Sequence, residues 1–120
     1  MKRILIALVA LLSVVACSKE SFVVWQLPSQ IDSIGNSYVE QTAGGKVIVM
    51  DGGFAAEKDY LRGFIDALGG KVDAWIISHP HDDHITALIA LLENPNGLKI
   101  DKVYHSCFPD VLIDAESAET

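Results

Sequence analysis

Three of the four histidines in the chain fall within six residues, in the run Ser78-His79-Pro80-His81-Asp82-Asp83-His84-Ile85. Imidazole and carboxylate are the natural ligands of zinc and similar divalent ions. His79 and His81 are two apart, so in an extended loop they can face the same way. Asp83 and His84 follow at the start of an expected helix and can address a second point a few ångströms away. One loop can therefore offer two pairs of ligands to two ions, and two-metal hydrolytic sites hold their ions roughly 3.5–4 Å apart. The bland alternative is a polar loop with chance histidines; residue types, spacing and strand context all argue against it. Asp82, by contrast, reads as a solvated loop acid.

Such ligands need a rigid base, and the flanking sequence supplies one. Residues 72–78, ending in Trp75-Ile76-Ile77-Ser78, read as a strand that delivers the cluster at its end. Open α/β sheets favour strand ends for their sites. Residues 22–27 and 37–42 read as two earlier strands, and Gly44-Gly45 as a tight turn into a third over residues 46–50. Asp51-Gly52-Gly53 follows, where glycine lets the backbone turn sharply or approach another group closely. Asp51 reads equally well as a turn former or as a group orienting the ligands. Residues 56–68 read as a helix with Tyr60, Leu61, Phe64, Ile65 and Leu68 on one stripe, stopped by Gly69-Gly70. Its acids, Glu57, Asp59 and Asp66 among them, are expected on a solvated face. Residues 85–93 read as a second helix, with Ile85, Leu88, Ile89, Leu91 and Leu92 mostly on one side. A last strand is expected over residues 100–106, where His105 and Cys107 alternate and read mainly as structural. Trp25 and Trp75 are expected in the core. This order predicts one α/β layered domain with a mixed sheet and flanking helices.

The pattern His79-x-His81-x-Asp83-His84, after an apolar strand ending in Ser, resembles the signature of the metallo-β-lactamase superfamily. Val47-Ile48-Val49-Met50-Asp51-Gly52-Gly53 resembles that family's first motif, and the helices between and after also fit. The resemblance covers roughly residues 22–108. The His-Pro-His after Ile-Ile-Ser is closest in style to the hydrolase domains of competence-type DNA-uptake proteins and their lipoprotein relatives. It implies the N-terminal half of an αββα sandwich, with residues 22–120 forming a partial domain of a truncated chain. It implies His79 and His81 on a first metal, Asp83 and His84 on a second, and Asp51 behind them. The cofactor implied is two Zn, with Mn or Fe as alternatives. A metal-activated hydroxide, oriented by Asp83, would attack an ester, amide or phosphodiester-type bond. Family members draw a third His, a bridging Asp and a last His from a second half, and His105 comes too early to match.

The N-terminus reads separately. Lys2 and Arg3 precede an apolar run shorter than the roughly 20 residues a membrane helix needs. Val14-Val15-Ala16-Cys17 resembles a bacterial lipobox. Residues 1–16 are thus expected to be a lipoprotein signal peptide and residues 17–21 a tether, with lipidated Cys17 anchoring the protein to a membrane of the bacterial cell envelope. Ser18 is compatible with the outer membrane. With Cys17 lipidated, Cys107 has no partner for an internal disulfide. Losing Lys2 and Arg3 takes the net charge from -7 to -9. That balance argues against specific nucleic-acid binding and suits metal cations. The substrate stays open, as a small molecule or a phosphodiester. A competing expectation from another class is a non-catalytic lipoprotein that binds a metal or a partner. A cupin or amidohydrolase also uses His-x-His but lacks the adjoining Asp-His at a helix start.

Overall fold

The computed structural model describes residues 21–106. The expected signal peptide, Cys17, most of the tether and Cys107 lie outside them. Five strands form the main sheet in the order β1-β2-β3-β5-β7: β1 Val23–Gln26, β2 Ser37–Gln41, β3 Val47–Asp51, β5 Ala74–Ile77 and β7 Val103–His105. The first two pairings are antiparallel, and β3–β5 and β5–β7 are parallel. The sheet is therefore mixed, as the alternation of hairpin and helical segments implies. A short 3-10 turn, Ala55–Glu57, leads into α1 (Lys58–Ala67), and α2 spans Asp82–Glu93. Between them, β4 (Lys71–Val72) pairs with β6 (Lys99–Ile100) in a small parallel sheet.

Local chemistry sets these boundaries. The β2–β3 turn closes where the Gly45 N–H donates to the Thr42 carbonyl. Helix α1 ends in a paired cap: the Gly69 N–H donates to Asp66 O and the Gly70 N–H to Ile65 O. Both glycines have positive φ, which a residue with a Cβ adopts only under strain. The two expected late strands are each broken near the start. Asp73 leaves the ladder because its own N–H and carboxylate pair with Val47 O and Val47 N. Asp101 leaves it through a bond to Val72 O.

The core forms between one sheet face and the helices. Val39, Val49, Trp75 and Ile77 meet Leu61, Ile65, Ala87, Leu88 and Leu91, all buried. Trp75 is fully buried, as expected, while Trp25 packs at the core's margin, edge-on to Phe64. The register aligns Tyr38, Met50, Ile76 and Tyr104 on the other face.

Three expectations from the pattern need correction. Tyr60 is exposed, because at 3.6 residues per turn it stands about 100° round the helix from Leu61 and about 140° from Ile65, the two residues that α1 buries. Ile89 and Leu92 are also exposed, since α2 buries Ala87, Leu88 and Leu91 instead. Glu57 is buried rather than solvated, at 6% exposure. It lies in the turn before α1, where it receives Phe54 N–H, Gln30 N–H and the Ser29 hydroxyl at 2.9–3.0 Å. Asp59 and Asp66 are exposed as expected.

Candidate metal centre

Strand β3 ends in Asp51, whose φ of 59° lies in the left-handed region. Asp and Asn tolerate that region better than most residues. The turn carries the chain over Gly52 and Gly53 toward α1. A Cβ on Gly53 would press on Glu57 Oε2, and the φ of 83° there favours glycine. The neighbouring parallel strand β5 ends one residue before Ser78. Asp51 and Ser78 therefore emerge side by side at the same end of the sheet.

Asp51 is 1% exposed and surrounded by donors. Its Oδ1 accepts the Ser78 N–H at 2.8 Å, and the Ser78 hydroxyl lies 2.9 and 3.0 Å from its two oxygens. Its Oδ2 also takes the Asn36 amide at 3.3 Å and stands 2.9 Å from His84 Nδ1. A buried carboxylate is tolerable when its oxygens are this fully engaged. Trp75 adds an indole N–H to the Asp51 carbonyl. Asp51 sits at the turn, as one of its two sequence readings has it, and its carboxylate also contacts the His84 ring.

Helix α2 starts at Asp82, three residues earlier than its apolar periodicity indicates, so Asp82, Asp83 and His84 form its first turn. Acidic residues are favoured there by the helix dipole. Two loops are stitched to the start of the helix: the Asn36 N–H donates to the Asp83 carbonyl in the first turn and the Ala87 N–H, in the second, to the Gly53 carbonyl. Asp82 is exposed, in keeping with a solvated acid.

The sequence cluster is brought together. The His79 ring lies 4.5 Å from that of His81 and 3.9 Å from that of His84, centroid to centroid. Asp83 Oδ2 stands 3.3 Å from His84 Nε2. Among the described residues, however, no three His, Cys, Asp or Glu side chains are disposed as a ligand set around one ion. His105, on the exposed edge strand β7, contacts the neighbouring Ser106 carbonyl. A cleft of about 580 Å³ lies at the other end of the strands by the β2–β3 turn and has no part in this cluster.

The donor chemistry fits a divalent ion. A carboxylate only accepts, so the His84–Asp51 contact places the ring proton on Nδ1 in neutral imidazole and a lone pair on Nε2. That lone pair faces the Asp83 carboxylate, another acceptor. Two acceptors held together are satisfied by a proton, which makes His84 an imidazolium, or by a bound cation in its place. Two ligands of one tetrahedral ion, each bound at about 2.0–2.1 Å, lie roughly 3.3 Å apart, which is the Nε2–Oδ2 separation observed.

Asn36 is the residue that the sequence pattern did not single out. It looks like a loop asparagine, and only its position directly before β2, which pairs with β3 at Asp51, hints at its place. Residues 31–100 match the family model described as Metallo-beta-lactamase superfamily. Among curated proteins, none matches the chain significantly.

Proposed function

Because the chain belongs to the metallo-beta-lactamase superfamily, we propose that it works as a metal-dependent hydrolase, with His79, His81, Asp83 and His84 as the ligands of divalent metal, two Zn in the first instance. The observation that carries this reading is the His84 Nε2–Asp83 Oδ2 pair at 3.3 Å, with the far ring nitrogen engaged by buried Asp51. Such ions supply Lewis acidity and activate water near neutral pH. The chain's own residues do the rest. Asp51 holds His84 in one tautomer and fixes its ring. Asp83, on the first turn of a helix stitched to two loops, holds a carboxylate where it can orient an attacking water and accept its proton. On this reading the described segment supplies one wall of the site, and any further ligands come from outside residues 21–106. The bond cleaved is an ester, amide or phosphodiester-type linkage, since the fold does not choose among them. We also propose that lipidated Cys17 anchors the protein to a bacterial envelope membrane.

The test is metal analysis of the purified full chain after zinc loading and desalting, followed by a hydrolysis screen over thioester, lactone, β-lactam and phosphodiester substrates. Zinc retained by the wild type and lost in His79→Ala and His84→Ala is the expected result. A chain that retains no divalent ion overturns the proposal. A second reading is a non-catalytic metal- or partner-binding lipoprotein, since the third and last His that the family draws from a second half have no counterpart among the described residues. Zinc retention without turnover of any substrate would select it.

A further inference from the structure

We propose that the Ser78 hydroxyl is a positioning group that relays the acceptor character of Asp51 to His79, so that one buried carboxylate fixes the tautomers of two imidazoles. The inference rests on the metal-site reading above. Ser78 Oγ has one proton and four polar neighbours: Asp51 Oδ1 at 2.9 Å, Asp51 Oδ2 at 3.0 Å, His79 Nδ1 at 2.9 Å and His84 Nδ1 at 3.3 Å. A carboxylate cannot donate, so the hydroxyl proton goes to Asp51. The lone pairs of Oγ then face His79, whose Nδ1 must carry the ring proton to make that contact. His84 reaches the same state directly, through its 2.9 Å contact with Asp51 Oδ2. Both rings are left with their lone pairs on Nε2, the nitrogen free to ligate. Outer partners of this kind set the ring orientation and basicity of metal-bound histidines.

The two routes differ, and the difference makes the relay testable. His79 depends on Ser78, whereas His84 has its own bond to Asp51. Ser78 is solvent-facing, so removing its hydroxyl opens no core cavity, and its N–H bond to Asp51 survives.

The experiment is ¹⁵N imidazole NMR on the zinc-free full chain near pH 8, for wild type, Ser78→Ala and Ser78→Thr, with zinc affinity measured by chelator competition. In the wild type both rings should show the Nδ1–H pattern. In Ser78→Ala the His79 nitrogens should move toward a mixture of tautomers while those of His84 stay, and zinc affinity should fall about tenfold to a hundredfold. Ser78→Thr, which keeps the hydroxyl, should restore both. A His79 signature unchanged in Ser78→Ala overturns the relay, as does a parallel change at both rings, which marks a structural disturbance. A wild type that binds no zinc sinks the hydrolase reading alone, and the ring nitrogens then still decide the relay.

Discussion

Replacing Asp51 by Asn tests whether charge, or merely shape, holds the end of the sheet together. The substitution is isosteric, and Asn is at home at the φ of 59° found there, so backbone strain is not introduced. One carboxylate oxygen becomes an NH₂ group. If the amide oxygen keeps the Ser78 N–H, the NH₂ faces Asn36 Nδ2 and His84 Nδ1, which sit 3.3 and 2.9 Å from Oδ2. If the amide flips, its NH₂ faces the Ser78 N–H at 2.8 Å. Either way, donors oppose donors. Hydrogen bonds to a charged group are worth about 1.5–3 kcal/mol, and an unsatisfied buried donor costs roughly 1–3 kcal/mol. Asn36 and His84 are half-buried and recover part of this by turning to water or changing tautomer. A net loss of about 2–3 kcal/mol follows. At roughly 4–8 °C per kcal/mol for a domain of this size, the melting temperature should fall by about 10–20 °C. The assay is thermal unfolding by circular dichroism at neutral pH without metal, with exposed Asp82→Asn as control; that variant should lose at most about 1 kcal/mol, from the helix dipole. If Asp51→Asn melts within 3 °C of wild type, the carboxylate is not what binds β3, β5 and α2 at the site, and the reasoning fails.

Gly53→Ala should destabilise by about 2–4 kcal/mol, because its Cβ would press on a Glu57 carboxylate held by three donors and φ is 83°; urea unfolding measures it, and a neutral result would mean the Glu57 clamp gives way freely. The Asp73 carboxyl is held below its ordinary 3.8 by its hydrogen bond from Lys71 and then by the Val47 N–H. Its contribution is therefore present above that ordinary value and lost as pH falls through the lowered one. Because Asp73 is only part-buried and its partner Lys71 is exposed, the effect is small, and Asp73→Asn should slightly flatten the decline of the urea midpoint below about pH 4; an unchanged acid limb would count against it. Trp75→Phe should cost about 2–3 kcal/mol by opening a void and orphaning the Asp51 carbonyl, read from chemical denaturation.

The sequence reveals most about this site where its chemistry is local. His79, His81, Asp83 and His84 are legible together because they occupy one strand-to-helix junction, and a junction keeps sequence neighbours as spatial neighbours. The five main strands were legible from β-branched runs and glycine punctuation. The breaks at Asp73 and Asp101 were not, because each comes from a hydrogen bond to a strand far away in sequence. Glu57 looks like any helical surface acid until the loop carrying Ser29 and Gln30 folds over it, 27 residues upstream. Asn36 is the same case at the site itself: its value arises only once β2 and β3 pair and α2 docks. Binary patterning placed Leu61 and Ile65 correctly and misplaced Tyr60, which lies at the edge of a stripe whose buried width is set by packing against the sheet.

The Asp51–Ser78 bond joins two parallel strands whose connection runs through α1, whereas the β2–β3 ladder closes across a tight turn. Local closure is fast and crossover closure is slow. The hairpin can therefore exist before the site does, and the cluster has no fixed geometry until β5 has docked beside β3. The Ser78 amide, engaged only when that docking is complete, serves as a clock for it: in a refolding experiment with pulsed deuterium labelling, it should gain protection after the Glu40 and Ile48 amides, which face each other across the hairpin, marking the moment at which the chain becomes able to hold a ligand.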